Sequence, residues 1–216
     1  MALAHDAVVL AGGTGRRLGG ALKPQVEVLG RRLLDHVLDA TAGASRIVVV
    51  APDTVPVPGG VTRTLEDPPH GGPVAGITAG LRALGPGAPL VLLLACDLPG
   101  AATAVPRLLA GAGPLLAPAG AAGERADGVV LRDSDGREQW LLGLYRRTAL
   151  EAAAASLAAG RGLRGAPVRD LMRPLGLAAL AAEGCEVRDI DTWADHAEYA
   201  REKHGEIPSR APGNEP

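Results

Sequence analysis

Seventeen residues near the start, Ala7 to Lys23, read AVVLAGGTGRRLGGALK and hold the densest chemistry of the chain. Gly12, Gly13 and Gly15 have no side chains to hold a ligand off the backbone. They permit positive φ, so peptide N–H groups can converge on phosphate oxygens. Arg16, Arg17 and Lys23 bring positive charge to the same place, arginine as a two-pronged fork and lysine as a compact point charge. Together they suit the binding of a polyanion. A second anchor is Asp97, which directly follows the most apolar run of the chain in ACDLPG. A carboxylate there is a hard oxygen ligand of the kind Mg²⁺ takes alongside substrate phosphates. Capping of a following helix is the alternative reading of Asp97.

The loop departs from two familiar phosphate-binding patterns. A dinucleotide fingerprint counted from Gly13 and Gly15 needs glycine where Leu18 stands, which disfavours a nicotinamide oxidoreductase. A Walker loop needs Lys and then Ser or Thr after its closing glycine, but Gly19 is followed by Gly20 and Ala21. Of the 22 lysines and arginines only Lys23 and Lys203 are lysine, so an arginine-biased sequence keeps an ammonium in this loop.

These residues need elements to hold them. Ala7–Leu10 is a short apolar run bounded by glycine, as in a buried parallel strand. Residues 46–51, 62–65 and 90–95 read as further strands, and residues 33–42 and 73–84 as helices, the latter with proline in its first turn. Strands alternating with helices predict an α/β fold: a Rossmann-like, doubly wound, mostly parallel sheet with helices on both faces. Its site lies at the carboxyl ends of the strands. Beyond Gly100 alanine, glycine and proline blur the periodicity. Residues 129–132 and 138–145 flank a turn and predict an added β-ribbon, 149–158 and 168–175 are helical, and 187–190 reads as a late edge strand. Thr192 and Asp195 form a capping box for a last helix to about Lys203. A single domain over 1–204 is expected, with a polar, disordered tail over 205–216.

Composition narrows the class. The chain has 216 residues, 47% of them hydrophobic, no Phe and a net charge of −2, so its core is aliphatic and nothing suggests a nucleic-acid partner. Cys96 and Cys185 are too few for a disulfide framework and read as buried thiols. No run has membrane-spanning length and the first residues lack a leader pattern, so a cytoplasmic location is expected.

The paired LAGG and RLGG segments and the Cys-Asp-Leu-Pro run resemble the molybdenum cofactor guanylyltransferases, nucleotidyltransferases of the nucleotide-diphospho-sugar transferase type of fold. The resemblance implies Mg²⁺-dependent transfer of GMP from GTP to molybdopterin with release of pyrophosphate. It implies nucleotide contacts at Leu10, Ala11, Gly12, Gly13, Lys23, Asp67, Gly72 and Asp97, the metal on Asp97, and catalytic roles for Lys23, Asp97 and Arg17. Asp67 precedes PPHGGPVAG, similar to the family segment that meets the nucleoside, although an Asp before Pro is also an ordinary turn residue. Gln139, Tyr145, Arg164 and Asp191 match segments on the acceptor side; a charged surface loop explains Arg164 equally well, and capping explains the neighbouring Thr192. Two positions depart from the family, Leu22 where Asp is frequent and Ala51 where Asn occurs. Cytidylyl transfer, transfer to a sugar phosphate, or a non-catalytic nucleotide-binding partner protein stay open on these residues.

Overall fold

The structure, a computed structural model, describes residues 3–13, 18–116 and 125–205. The expectations for Gly15, Arg16 and Arg17, and for the tail beyond 205, fall outside the described residues. In chain order the elements are β1 (His5–Leu10), a 3-10 turn (Lys23–Gln25), β2 (Glu27–Val28), β3 (Arg31–Arg32), α1 (Leu33–Ala40), β4 (Ile47–Val50), β5 (Thr62–Thr64), α2 (Pro73–Leu84) and β6 (Leu90–Ala95). They continue with α3 (Ala101–Ala110), α4 (Gly113–Leu116), β7 (Gly128–Arg132), β8 (Glu138–Arg146), α5 (Arg147–Ala159), α6 (Val168–Met172), β9 (Leu177–Ala181) and α7 (Trp193–Gly205).

Seven strands form one sheet in the order β5-β4-β1-β6-β8-β7-β9, mostly parallel, with β8 antiparallel to both of its neighbours. The central strands are apolar on both faces because both are covered by helices. Ala7 and Val9 of β1, with Leu92 and Leu94 of β6, pack with Leu34 and Val37 of α1 and Val105 and Leu108 of α3. Val8, Val91 and Leu93 face the other way, onto Val74, Ile77 and Leu81 of α2 and Leu150 of α5. The α2 helix lies very close to the sheet: a Cβ on Gly80 would stand 2.5 Å from Val8 Cγ1, so glycine sets this spacing. The 128–146 ribbon forms as a hairpin and joins the main sheet rather than standing apart.

Two expectations are corrected. Residues 187–190 pair with no strand; the outer strand on that side is β9. The Ile190 N–H instead donates to the Asp97 carbonyl at 3.0 Å, which draws this segment onto the end of β6 rather than the sheet edge. The β9 strand, LAALA, went unread because its alanines carry no alternation, and α3 because its run of alanines with an internal Pro106 blurs a helical face. Of the cysteines, Cys96 is buried, with burial pushing its thiol pKa far up, whereas Cys185 is half-buried.

Candidate active site

The site sits where the carboxyl ends of β1 and β6 run level. Their parallel register pairs Leu10 with Ala95, and the Cys96 N–H extends it by donating to the Leu10 carbonyl at 3.0 Å. Ala11–Gly13 and Cys96–Asp97 therefore leave the sheet side by side. Leu10 and Ala11 lie at this edge. The Leu10 side chain lies against α2, where a Cβ on Gly76 would come within 3.3 Å of it. Ala11 is buried and its N–H donates to the Val50 carbonyl at 2.8 Å.

Gly12 and Gly13 are exposed and neither has a left-handed φ; the left-handed glycines of the described loop are Gly19 and Gly20. A Cβ on Gly13 would meet nothing within 4 Å, and one on Gly12 would make only ordinary contacts. Among the described residues nothing requires glycine at these two positions, whose backbone is exposed.

Lys23 opens the 3-10 turn, whose Pro24 needs no N–H there. Its neighbourhood is held by a small third core in which Leu18, Val26, Val28 and Leu33 from the N-terminal half pack with Ile190 and Tyr199 from the C-terminal segment. That cluster is the physical reason that residue 23 meets residue 191. Lys23 Nζ lies 2.5 Å from Asp97 Oδ2 and also donates to Asp191 Oδ1. Burial disfavours the ammonium, but Asp97 and Asp191 outweigh it, and the Lys23 pKa is raised.

Asp189 completes the group, and the sequence reading missed it. One ligand oxygen each from Asp97, Asp189 and Asp191 lies within 4.8 Å of the others. The signal was present as Asp189-Ile190-Asp191: in an extended segment alternate residues share a side. With Ile190 fully buried, both acids turn toward Asp97. Although Asp189 is exposed as a residue, its carboxyl pKa is raised, first by desolvation and then by Asp97 and Asp191. Three hard oxygen donors with an ammonium already seated on two of them form a cation-holding arrangement, and they fit Mg²⁺ or Mn²⁺. The Thr192–Asp195 capping box forms in both directions: Thr192 N–H donates to Asp195 Oδ2 at 2.7 Å, and Asp195 N–H to Thr192 Oγ1 at 3.2 Å.

The other expected site residues divide. Asp67 is exposed in a loop with a cis bond to Pro68, and Gly72 caps α2 with φ 89°. Arg164 joins them, not the other acceptor candidates: it lines a small cleft with Glu66 and Asp67, where the Gly165 N–H donates to the Gly71 carbonyl at 2.7 Å. Gln139 donates to Asp133 Oδ2 at 2.8 Å and lines a cleft of about 770 Å³ that Asp189 also lines. Tyr145 is corrected outright. It is fully buried and its hydroxyl donates to the Trp140 carbonyl at 2.6 Å, so it supports the sheet and presents no surface to an acceptor. Of the two family departures, Leu22 is 38% exposed beside Lys23 and Ala51 is buried, its N–H donating to the Thr64 carbonyl.

Comparison with known proteins shows the family and the fold. Residues 7–178 match the model of the MobA-like NTP transferase domain. A molybdenum cofactor guanylyltransferase of Acidiphilium cryptum (strain JF-5) is 40% identical over 100 residues, 43% of this chain and 50% of the relative. The chain thus spans about half the length of that curated relative. Among solved structures, Rv0371c of Mycobacterium tuberculosis H37Rv superposes with a TM-score of 0.68 at 23% identity, covering 93% of this chain and 99% of that one. It has also been solved in complex with manganese. Molybdopterin-guanine dinucleotide biosynthesis protein A of Archaeoglobus fulgidus gives a TM-score of 0.64 at 19% identity, covering 94% and 100%. At these identities the structural likenesses establish the shared fold.

Proposed function

Because the chain belongs to the MobA-like NTP transferase family, we propose that it transfers GMP from GTP to molybdopterin, releasing pyrophosphate, with Mg²⁺ as its metal. The observation that carries this reading is the Lys23 ammonium opposed to Asp97 and Asp191 beside the exposed Gly12–Gly13 backbone. Cation, carboxylates and unobstructed peptide N–H groups are what a nucleoside triphosphate needs at its phosphates. The partly matching guanylyltransferase relative supports GTP and molybdopterin as the pair.

An oxygen of the acceptor phosphate forms the new bond to the α-phosphorus as the bond to the bridging oxygen breaks, and pyrophosphate leaves with the electron pair. This displacement asks little covalent help of the protein; in-line positioning and charge neutralisation lower the barrier. Gly12 and Gly13 N–H groups hold the phosphates in register, and Lys23 neutralises the charge that grows on the leaving group. The family resemblance also gives Arg17 a catalytic role, at a position outside the described residues. Asp97, Asp189 and Asp191 would hold the Mg²⁺, which supplies further charge neutralisation on the phosphate oxygens. Asp67 and Gly72 face the nucleoside, and Gln139 lines the acceptor cleft beside Asp189.

The test is pyrophosphate release from purified protein offered GTP or CTP, each with molybdopterin and Mg²⁺. GTP-dependent release that falls at least about a hundredfold in Lys23→Ala and in Asp97→Asn is expected, the scale of losing one electrostatic stabiliser. Full turnover in either variant rejects the assignment, and a preference for CTP transfers it to cytidylyl chemistry.

A further inference from the structure

We propose that Lys23 is a resident counter-ion which the divalent metal must displace, so that nucleotide and metal each draw the other into the site. The inference rests on the nucleotidyltransferase reading, which supplies the metal and the polyphosphate.

One ammonium now serves two carboxylates. Nζ touches Asp97 Oδ2 and Asp191 Oδ1, and its side chain is only 11% exposed, so it is held rather than waving in solvent. These two acids also provide ligand oxygens of the three-carboxylate group. A divalent ion bonded to Asp97 and Asp191 lies about 2.0–2.1 Å from their oxygens. The ammonium is in contact with the same two groups, so both cations would crowd one small space. Like charges so close repel strongly, and one of them has to leave.

Lysine can leave because its charge rides on a flexible four-carbon stem. An anion to go to favours its leaving further, and a triphosphate laid along Gly12 and Gly13 supplies one. Nucleotide therefore draws the ammonium off the carboxylates and opens them to metal. By linkage, metal on the carboxylates raises nucleotide affinity by the same factor as nucleotide raises metal affinity. In the free protein the ammonium has a separate use: it offsets part of the repulsion among Asp97, Asp189 and Asp191.

The chain is suited to a direct test, since Lys23 and Lys203 are its only lysines. In full-length protein labelled with ¹⁵N-lysine, the ion-paired Lys23 ammonium should give a slowly exchanging signal. Saturating Mg²⁺ should abolish that signal and leave Lys203 unchanged. In parallel, Mn²⁺ titration without nucleotide should find Lys23→Met binding at least about fivefold more tightly than wild type, the lower end of ordinary coupling. A Lys23 signal unchanged in Mg²⁺-saturated protein, or a Lys23→Met affinity no higher than wild type, overturns the displacement. The wild-type signal decides the matter alone should Lys23→Met fail to fold. Failure of wild type and variant alike to take up Mn²⁺, even with GTP present, would instead overturn the nucleotidyltransferase reading and this inference with it.

Discussion

At the scale of single residues, glycine here has two unrelated uses. Gly80 is required by the protein, because a Cβ would stand 2.5 Å from Val8 Cγ1. Gly13 is not, because among the described residues a Cβ there would meet nothing and its φ is an ordinary one. The two substitutions should therefore separate in opposite directions. Gly13→Ala leaves the melting temperature unchanged or raises stability by about 0.4–1 kcal/mol, while GTP affinity measured by calorimetry falls. Gly80→Ala costs about 1–3 kcal/mol through overpacking, read from urea denaturation, with GTP affinity little altered in the folded fraction. Equal GTP affinity in Gly13→Ala and wild type would remove the phosphate role from this backbone. The sequence marked Gly12 and Gly13 as a candidate place for a ligand; that their φ values are ordinary was not legible, since glycine accepts either sign.

At the scale of elements, the site depends on a join between the two ends of the chain. The segment carrying Asp189 and Asp191 is anchored by the Ile190 side chain, which is fully buried among Leu18, Val26, Val28 and Leu33, and by its N–H to Asp97. Ile190→Ala should cost about 2–5 kcal/mol and weaken Mn²⁺ binding, although isoleucine touches no metal itself. Mn²⁺ affinity equal to wild type in the folded variant would show that the acids hold their places without this anchor. The sequence reading saw residues 187–190 as a strand because Val187 and Ile190 are β-formers. Propensity measures fitness for a pleated, half-buried surface, and docking against the end of β6 satisfies the same preference.

At the scale of the whole molecule, the two ends of the sheet use charge differently. Opposite the site, at the start of β1, Asp6 is fully buried between Arg46 Nη2 at 2.7 Å and Arg147 Nη2 at 2.5 Å, and it accepts the Ala88 N–H at 3.2 Å. Burial by itself would raise its pKa; Arg46, the Ala88 N–H and Arg147 outweigh burial and lower it. A lowered carboxyl pKa contributes stability that is present above the unfolded value of about 3.9 and is lost as pH falls through the folded value. Asp6→Asn should lose about 3 kcal/mol at pH 7, the lower end for a broken buried pair because Arg46 keeps solvent. That deficit should narrow below about pH 4 in urea denaturation series, and a deficit independent of pH would show that the lost contact is steric. Among the described residues no helix is long and apolar enough to cross a membrane.

The sequence alone determined what acts locally. Short apolar runs specified β1, β4 and β6, proline at its first turn marked α2 at Pro73–Leu84, and Thr192 with Asp195 announced α7, because burial pattern and capping are read within a few residues. Lys23 and Asp97 stood out for the same reason: one lysine in an arginine-rich loop, one acid at the end of an apolar strand. Tertiary structure decided which distant groups share a space. It added Asp189, moved Arg164 beside Asp67, buried Tyr145 in the sheet, and seated one ammonium on acids more than seventy and a hundred and sixty residues away. Contacts of that separation are set by the sheet order and by a core of scattered aliphatic side chains, and no local pattern encodes them.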